Sequence, residues 1–286
     1  MFNLIHGDSR TIMSQLEENS IQTCVTSPPY FMLRDYGEEQ QIGFEPDLKK
    51  YINDIVEVFD GVKRVLKKDG TLWVNLGDSY AGSGKNGGKP HKLSDKQSTN
   101  KGSVAKPTPI LEGFKRKDLM GVPWRVAFAL QDAGWYLRTE IIWKKNNAMP
   151  ESVTDRPSRC HEYIFMFSKS INYFMNQESM YTKNNNGKKV KIRNVWEVNN
   201  STGYKDTDGV HYATYPEKLV EPCILMATKI GDCVLDPFNG SGTTGVVSKK
   251  LQRNYIGIDI SKKFLDMSQR RIEKVPVVNN LLELFT

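Results

Sequence analysis

The sequence predicts an α/β fold, a mostly parallel sheet of about seven strands with helices on both faces. Three features carry that prediction. Short apolar runs alternate with amphipathic stretches along the chain, and one late segment passes from strand through a glycine turn into helix and second strand. The 286 residues are also enough to bury a full core without disulfide staples. Residues 3–6 form the first strand signal and residues 23–26 the second. The stretch KKYINDIVEVFDGVKRVL, 49–66, places Ile52, Ile55, Val56, Phe59, Val62 and Leu66 on one helical face. A strand over 71–76 follows, then a helix over 122–133, strands over 138–143 and 162–167, and a helix over 217–228. Strands over 233–236 and 255–259, joined by a helix starting near Thr243, complete the set. No internal repeat is visible, and residues 1–286 read as one domain.

The charge is uneven. There are 40 Lys and Arg against 33 Asp and Glu, a formal net charge of +7. Most of the positive excess falls in two polar stretches, a Lys-rich insertion over 82–118 and a segment over 176–210 containing KNNNGKKVKIR, and both read as loops. Their composition suits either a polyanionic partner or a plain solvated surface. Cys24, Cys160, Cys223 and Cys233 include no Cys-x-x-Cys pair, which fits a reduced, cytoplasmic protein. No stretch approaches the length needed to cross a bilayer, so no membrane role is expected.

The most informative segment is CVLDPFNGSGTTGVVSKKLQRNYIGIDIS, 233–261. A strand ends at Asp236, Gly240 and Gly242 make a turn, a helix follows, and the next strand ends at Asp259. Residues 240–245 satisfy G-x-G-x-x-G, so a nicotinamide or flavin site must be weighed. Asp236 argues against it, because a diphosphate beside the glycine turn would meet a carboxylate at close range. A ligand bearing an ammonium and a sulfonium would instead be attracted there. Asp259 is placed to accept from two ribose hydroxyls.

DPFNGSGTT followed by GIDIS, with TSPPY far upstream at 26–30, resembles the amino-group DNA methyltransferases in the order where the catalytic half precedes the cofactor half. HGDS (6–9), GTLWVNLGDSY (70–80), the block over 141–169 and HYATYPEKLVEP (211–222) extend the likeness over nearly the whole chain. The resemblance implies a Rossmann-like class I methyltransferase fold with S-adenosyl-L-methionine as cofactor. It implies that Asp236, Phe238, Gly240, Gly242 and Thr243 hold the methionine part and Asp259 the ribose, with Asn239 also binding the cofactor. Asp8 is expected near the adenine, and the turn containing Pro216 and Lys218 over the methionine tail. On the residues alone, Asp8 reads better as a helix cap and Pro216 as a first-turn proline. The strand ending near Asp8 should lie beside the strand ending at Asp259.

TSPPY then has a chemical reading. An exocyclic amino nitrogen is a poor nucleophile because its lone pair is delocalised into the ring, so acceptors must draw it toward tetrahedral geometry. By the resemblance, the Ser27 side chain and the Pro28 carbonyl accept the two amino hydrogens, while Pro28 and Pro29 fix the backbone that aims that carbonyl. Tyr30 offers a ring on which a base taken from double-stranded DNA can stack. Serine as the first motif residue goes with cytosine N4 in the family, and aspartate or asparagine there with adenine N6. Cytosine N4 is therefore expected, with adenine N6 as the alternative and a nicotinamide oxidoreductase as a more distant one. Cys223, in an apolar helical pattern, reads as core and not as a carbon-5 nucleophile. The four histidines form no metal set, and methyl transfer from a sulfonium needs none. The resemblance leaves room for a cognate restriction endonuclease and for a homodimer, and the residues specify neither.

Overall fold

Strands from opposite ends of the sequence lie side by side in the computed structural model, which describes residues 1–33, 36–82, 110–148, 151, 153–184, 186–201, 204–206, 209–211 and 215–276. In chain order its elements are β1 (Phe2–His6), α1 (Ser9–Ile12), β2 (Ile21–Thr26), α2 (Leu48–Val65), β3 (Leu66–Leu76), α3 (Val122–Asp132), β4 (Tyr136–Lys144) and β5 (His161–Ser168). Short strands β6 (Tyr181–Lys183), β7 (Lys189–Lys191), β8 (Val195–Glu197), β9 (Tyr204–Asp206) and β10 (Gly209–His211) come next. The last part contains α4 (Glu217–Ala227), β11 (Cys233–Asp236), α5 (Thr243–Lys250), β12 (Asn254–Asp259) and α6 (Lys262–Glu273).

The main sheet has eight strands in the order β1-β12-β11-β2-β3-β5-β4-β8. Five neighbouring strands, β1 to β3 in that order, run parallel, and β5 runs antiparallel to both β3 and β4. The expected seven strands are all present; the eighth, β8, is a three-residue addition pairing in parallel with the outer edge of β4. His6 sits opposite Asp259 in register, so the strand leading to Asp8 does lie beside the strand ending at Asp259. Each parallel connection must return over the sheet, which is why the helices divide between its two faces.

On one face α2 and α3 bury Tyr51, Ile55, Phe59, Val126 and Leu130 against the sheet. On the other, α4 and α5 bury Leu219, Ile224, Val246 and Val247, joined by Ile272 of α6. The buried stripe of α2 is rotated from the expected one: Tyr51, Val58 and Val65 are fully buried, whereas Ile52 and Val56 are only partly so. The helix also stops one residue early, because Leu66 is already extended and begins β3. Asp47 caps it, its carboxylate accepting from the Lys50 N–H at 2.7 Å. Cys223 is core, as its apolar pattern implied, and burial pushes its thiol pKa up.

Most of the Lys-rich insertion over 82–118 lies outside the described residues, as do residues 185, 202–203 and 207–208 of the 176–210 segment. The described part of that segment is not a plain loop: β6 and β7 form an antiparallel hairpin with its turn at Gly187. Among the described residues no helix is long and apolar enough to cross a membrane.

Candidate active site

Strand order reverses direction between β11 and β2, and a cleft opens at the carboxyl ends of the strands there, as open α/β sheets dictate. Its free space, counting the open mouth, is about 850 Å³. Two of its walls are carboxylates, Asp8 and Asp259, and among the described residues no cationic side chain lines it.

Asp8 does two jobs at once. Its carboxylate caps α1 by accepting from the Arg10 N–H at 2.9 Å, and it takes a forked ion pair from the Arg10 guanidinium. Arg10 in turn donates to the Gln40 carbonyl at 3.0 Å and lies 3.7 Å from Asp54 of α2. The Asp259 carboxylate accepts from the backbone N–H groups of Gly240 (2.6 Å) and Ser261 (2.9 Å). Burial raises its pKa to about 6, those two donors opposing the rise.

The glycine turn is built by steric exclusion. Gly242 has φ of +76°, and a Cβ there would fall 2.1 Å from the Ser268 Oγ of α6. Gly257 in β12 leaves room for the Asn239 side chain, which a Cβ would meet at 2.4 Å. Asn239 is held there by the Tyr255 hydroxyl at 2.7 Å.

Asp236 is placed differently from expectation. It is 1% exposed and does not line the cleft. Its carboxylate accepts from the hydroxyls of Thr26 (2.6 Å), Thr244 (2.8 Å) and Tyr215 (3.2 Å) and from the Phe238 N–H (3.0 Å). Direct contact with a cationic ligand is therefore corrected to an indirect role. Burial raises the carboxyl's pKa, opposed by these donors, and the group fastens β2, β11, α5 and Tyr215 together.

Ser27 and Pro29 line the cleft and Pro28 is buried behind them. Tyr51 of α2 donates to the Pro29 carbonyl at 2.9 Å, pinning this turn to the helix beneath. Tyr30 stands back from the cleft, and the expected stacking ring is not among its walls. Its ring packs on Gly77, where a Cβ would come within 2.5 Å. Its hydroxyl donates to Glu162 at 2.6 Å and lies 3.0 Å from the Asn75 amide oxygen.

Phe238, Asn239, Gly240 and Thr243 line the cleft, whereas Gly242 shapes it from behind. Pro216 is the residue before α4 and not in its first turn, and neither it nor the exposed Lys218 reaches the cleft wall. Tyr215, beside them, does.

Sequence reasoning missed Tyr36, Gln40, Gln41 and Ile42, which form the cleft wall between TSPPY and α2, and Phe264, whose ring meets Tyr36 edge-on at 6.2 Å. A signal existed: in a parallel sheet, the connection leaving the carboxyl end of β2 must cross the strand tips before α2 can start its return.

Residues 21–270 match the family model described as DNA methylase, for N6 and N4 enzymes. The type II methyltransferase M.Cfr9I of Citrobacter freundii is 46% identical over 271 residues, covering 94% of this chain and 87% of that protein. M.SmaI of Serratia marcescens, also a type II methyltransferase, is 46% identical over 274 residues, covering 94% and 90%. Among solved structures, the cytosine-N4-specific PvuII DNA methyltransferase superposes with a TM-score of 0.70 at 21% identity, over 98% of this chain and 88% of that one. A complex of M1.HpyAVI with SAM gives a TM-score of 0.58 at 20% identity, over 95% and 99%.

Proposed function

The chain belongs to the DNA methylase family of N6 and N4 enzymes, and from that premise we propose that it methylates the exocyclic N4 of cytosine, in a base taken out of double-stranded DNA. The observation that carries the reading is the cleft itself: two carboxylates, no lining cation among the described residues, and Ser27 at its edge beside the strand switch point. The methyl donor is S-adenosyl-L-methionine, and the cleft suits it. A donor with an ammonium and a sulfonium is attracted by Asp8 and Asp259, and by the buried Asp236, whereas a dinucleotide diphosphate would be repelled. The glycine turn adds bare backbone that a ligand can approach closely. When bound, this cofactor supplies an electrophilic methyl group.

The chain's own residues do the rest. Asp259 is the residue for ribose hydroxyls, Asp8 faces the adenine end, and Phe238, Asn239, Gly240 and Thr243 hold the methionine end, with Gly242 shaping their turn. The Ser27 hydroxyl and the Pro28 carbonyl accept the two amino hydrogens of the base, which turns the nitrogen lone pair toward the cleft. No covalent adduct with the protein is required. Serine at the head of the motif favours cytosine N4, in keeping with the name of the PvuII fold neighbour. The type II relatives suggest service beside a cognate restriction endonuclease, in the cytoplasm on DNA.

Mass spectrometry of nucleosides from DNA incubated with the protein and labelled cofactor tests the proposal. N4-methylcytosine carrying the label is the expected product. Label in N6-methyladenine alone would replace the base assignment, and label in no nucleoside would end the activity claim.

A further inference from the structure

Ser27 can accept an amino hydrogen only if its own hydrogen is directed elsewhere. Three acceptors or relays lie behind it. Its hydroxyl donates to the Asn75 amide oxygen at 3.3 Å, and the Tyr30 hydroxyl lies 3.0 Å from that same oxygen. The Asn75 amide nitrogen donates to Glu162 at 3.2 Å and to the Tyr163 carbonyl at 3.1 Å, which leaves its oxygen facing Ser27. Tyr30 donates to the same Glu162 oxygen at 2.6 Å. The other Glu162 oxygen is held by the Lys145 ammonium, both side chains being 16% exposed.

A carboxylate only accepts. Every bond that reaches Glu162 must therefore point toward it, and the direction propagates outward: Tyr30 and the Asn75 nitrogen both donate inward, so the Asn75 oxygen does not take the Tyr30 hydrogen and is open to the one hydrogen of Ser27. Burial, then the nearby Glu162 charge, push the Tyr30 phenol well up, which keeps its proton in place.

We propose that Glu162, oriented by Lys145, is a positioning residue that fixes the hydrogen-bond polarity of the Ser27–Tyr30–Asn75 network, so that Ser27 shows the cleft lone pairs and no hydrogen. This rests on the methyltransferase reading above and adds a residue acting through others, without touching the base. Replacing Glu162 by glutamine preserves size but not direction. Lys145 selects the amide oxygen, which turns the amide nitrogen toward Tyr30 and costs the Asn75 nitrogen its acceptor; Tyr30 becomes an acceptor, its hydrogen turns to the Asn75 oxygen 3.0 Å away, and the Ser27 hydrogen is displaced toward the cleft. Removing Lys145 as well lets the amide turn round and restores the original polarity.

The test compares wild type, Glu162→Gln and Glu162→Gln/Lys145→Met, as full chains, with labelled S-adenosyl-L-methionine and unmethylated bacterial genomic DNA. Glu162→Gln should lower kcat on the order of 10²-fold, leaving cofactor Kd close to wild type, since Glu162 does not line the cofactor cleft. The double variant should regain about tenfold in kcat. A single variant within threefold of wild type, or a double variant no faster than the single, would overturn the proposal. An activity-independent readout is the tyrosine Raman doublet in difference spectra against Tyr30→Phe: Tyr30 should be a strong donor in wild type and an acceptor in Glu162→Gln. Unchanged Raman ratios sink the polarity claim even if no nucleoside is labelled, an outcome that would separately sink the methyltransferase reading.

Discussion

At Asp259, burial and ligand charge act in opposite directions. With a folded pKa of about 6 against an unfolded value of about 3.9, the folded state binds more protons than the unfolded chain between those values. This group's contribution to stability therefore falls as pH rises through that window. Binding of a cationic cofactor runs the other way, because it needs the ionised carboxylate. Cofactor Kd measured by titration calorimetry should rise as pH drops through 6, by up to about tenfold at pH 5, and Asp259→Asn should bind weakly at all pH values without that step. Asp259 was legible in the sequence from its place at a strand tip, whereas Asp8 was placed by the family resemblance, its residues alone reading as a helix cap. Asp236 was legible in position and not in role. Whether a strand-tip acid faces ligand or protein depends on the donors around it, and Thr26, Tyr215 and Thr244 come from three distant segments.

The element that tolerates least change is the turn from β11 into α5. Alanine at Gly242 combines a left-handed backbone with a Cβ 2.1 Å from Ser268 Oγ and 2.9 Å from its Cβ. We expect a loss of about 2–4 kcal/mol, seen as a Tm drop of roughly 5–10 °C, together with weaker cofactor binding. Gly187→Ala is the control: φ is +73° but nothing lies within 4 Å, so only about 1 kcal/mol should go. Equal losses in the two variants would show that crowding against α6 is unimportant. Strands and helices with strong apolar periodicity were readable to within a few residues, α3 and α4 among them. The short strands β6 to β10 were not, since three-residue strands, three of the five containing Lys, carry too little alternation to stand out from loop. The rotation of the α2 stripe has a similar origin: Tyr51 and Val58 compete with Ile52 and Val56 for the buried side, and only packing on β2 and β3 decides.

For the molecule as a whole, the proposed function makes charge placement the determinant of its encounter with DNA. Six lysines and one aspartate fall within residues 83–109, so this stretch holds most of the net charge of +7. Replacing those six lysines by glutamine should weaken binding to duplex DNA of any sequence. It should also flatten the plot of log affinity against log salt by roughly 3 or more, at about 0.9 for each phosphate that the protein no longer neutralises. Fluorescence anisotropy between 50 and 200 mM salt reads both effects; an unchanged slope would assign phosphate binding elsewhere, with the β6–β7 hairpin next in line. The parallel half of the sheet was legible from strand and helix alternation. The reversal of β5 between β3 and β4 was not, because neither strand's composition records its direction.

The pairing of β1 with β12 joins residues as far apart as His6 and Ile260, 254 positions distant in the sequence. During synthesis the Ser27 turn leaves the ribosome early, while the neighbour that completes the donor pocket is translated more than two hundred codons later. On the proposed reading, an unfinished polypeptide lacks its methyl-donor site until the late segment has paired between β1 and β11.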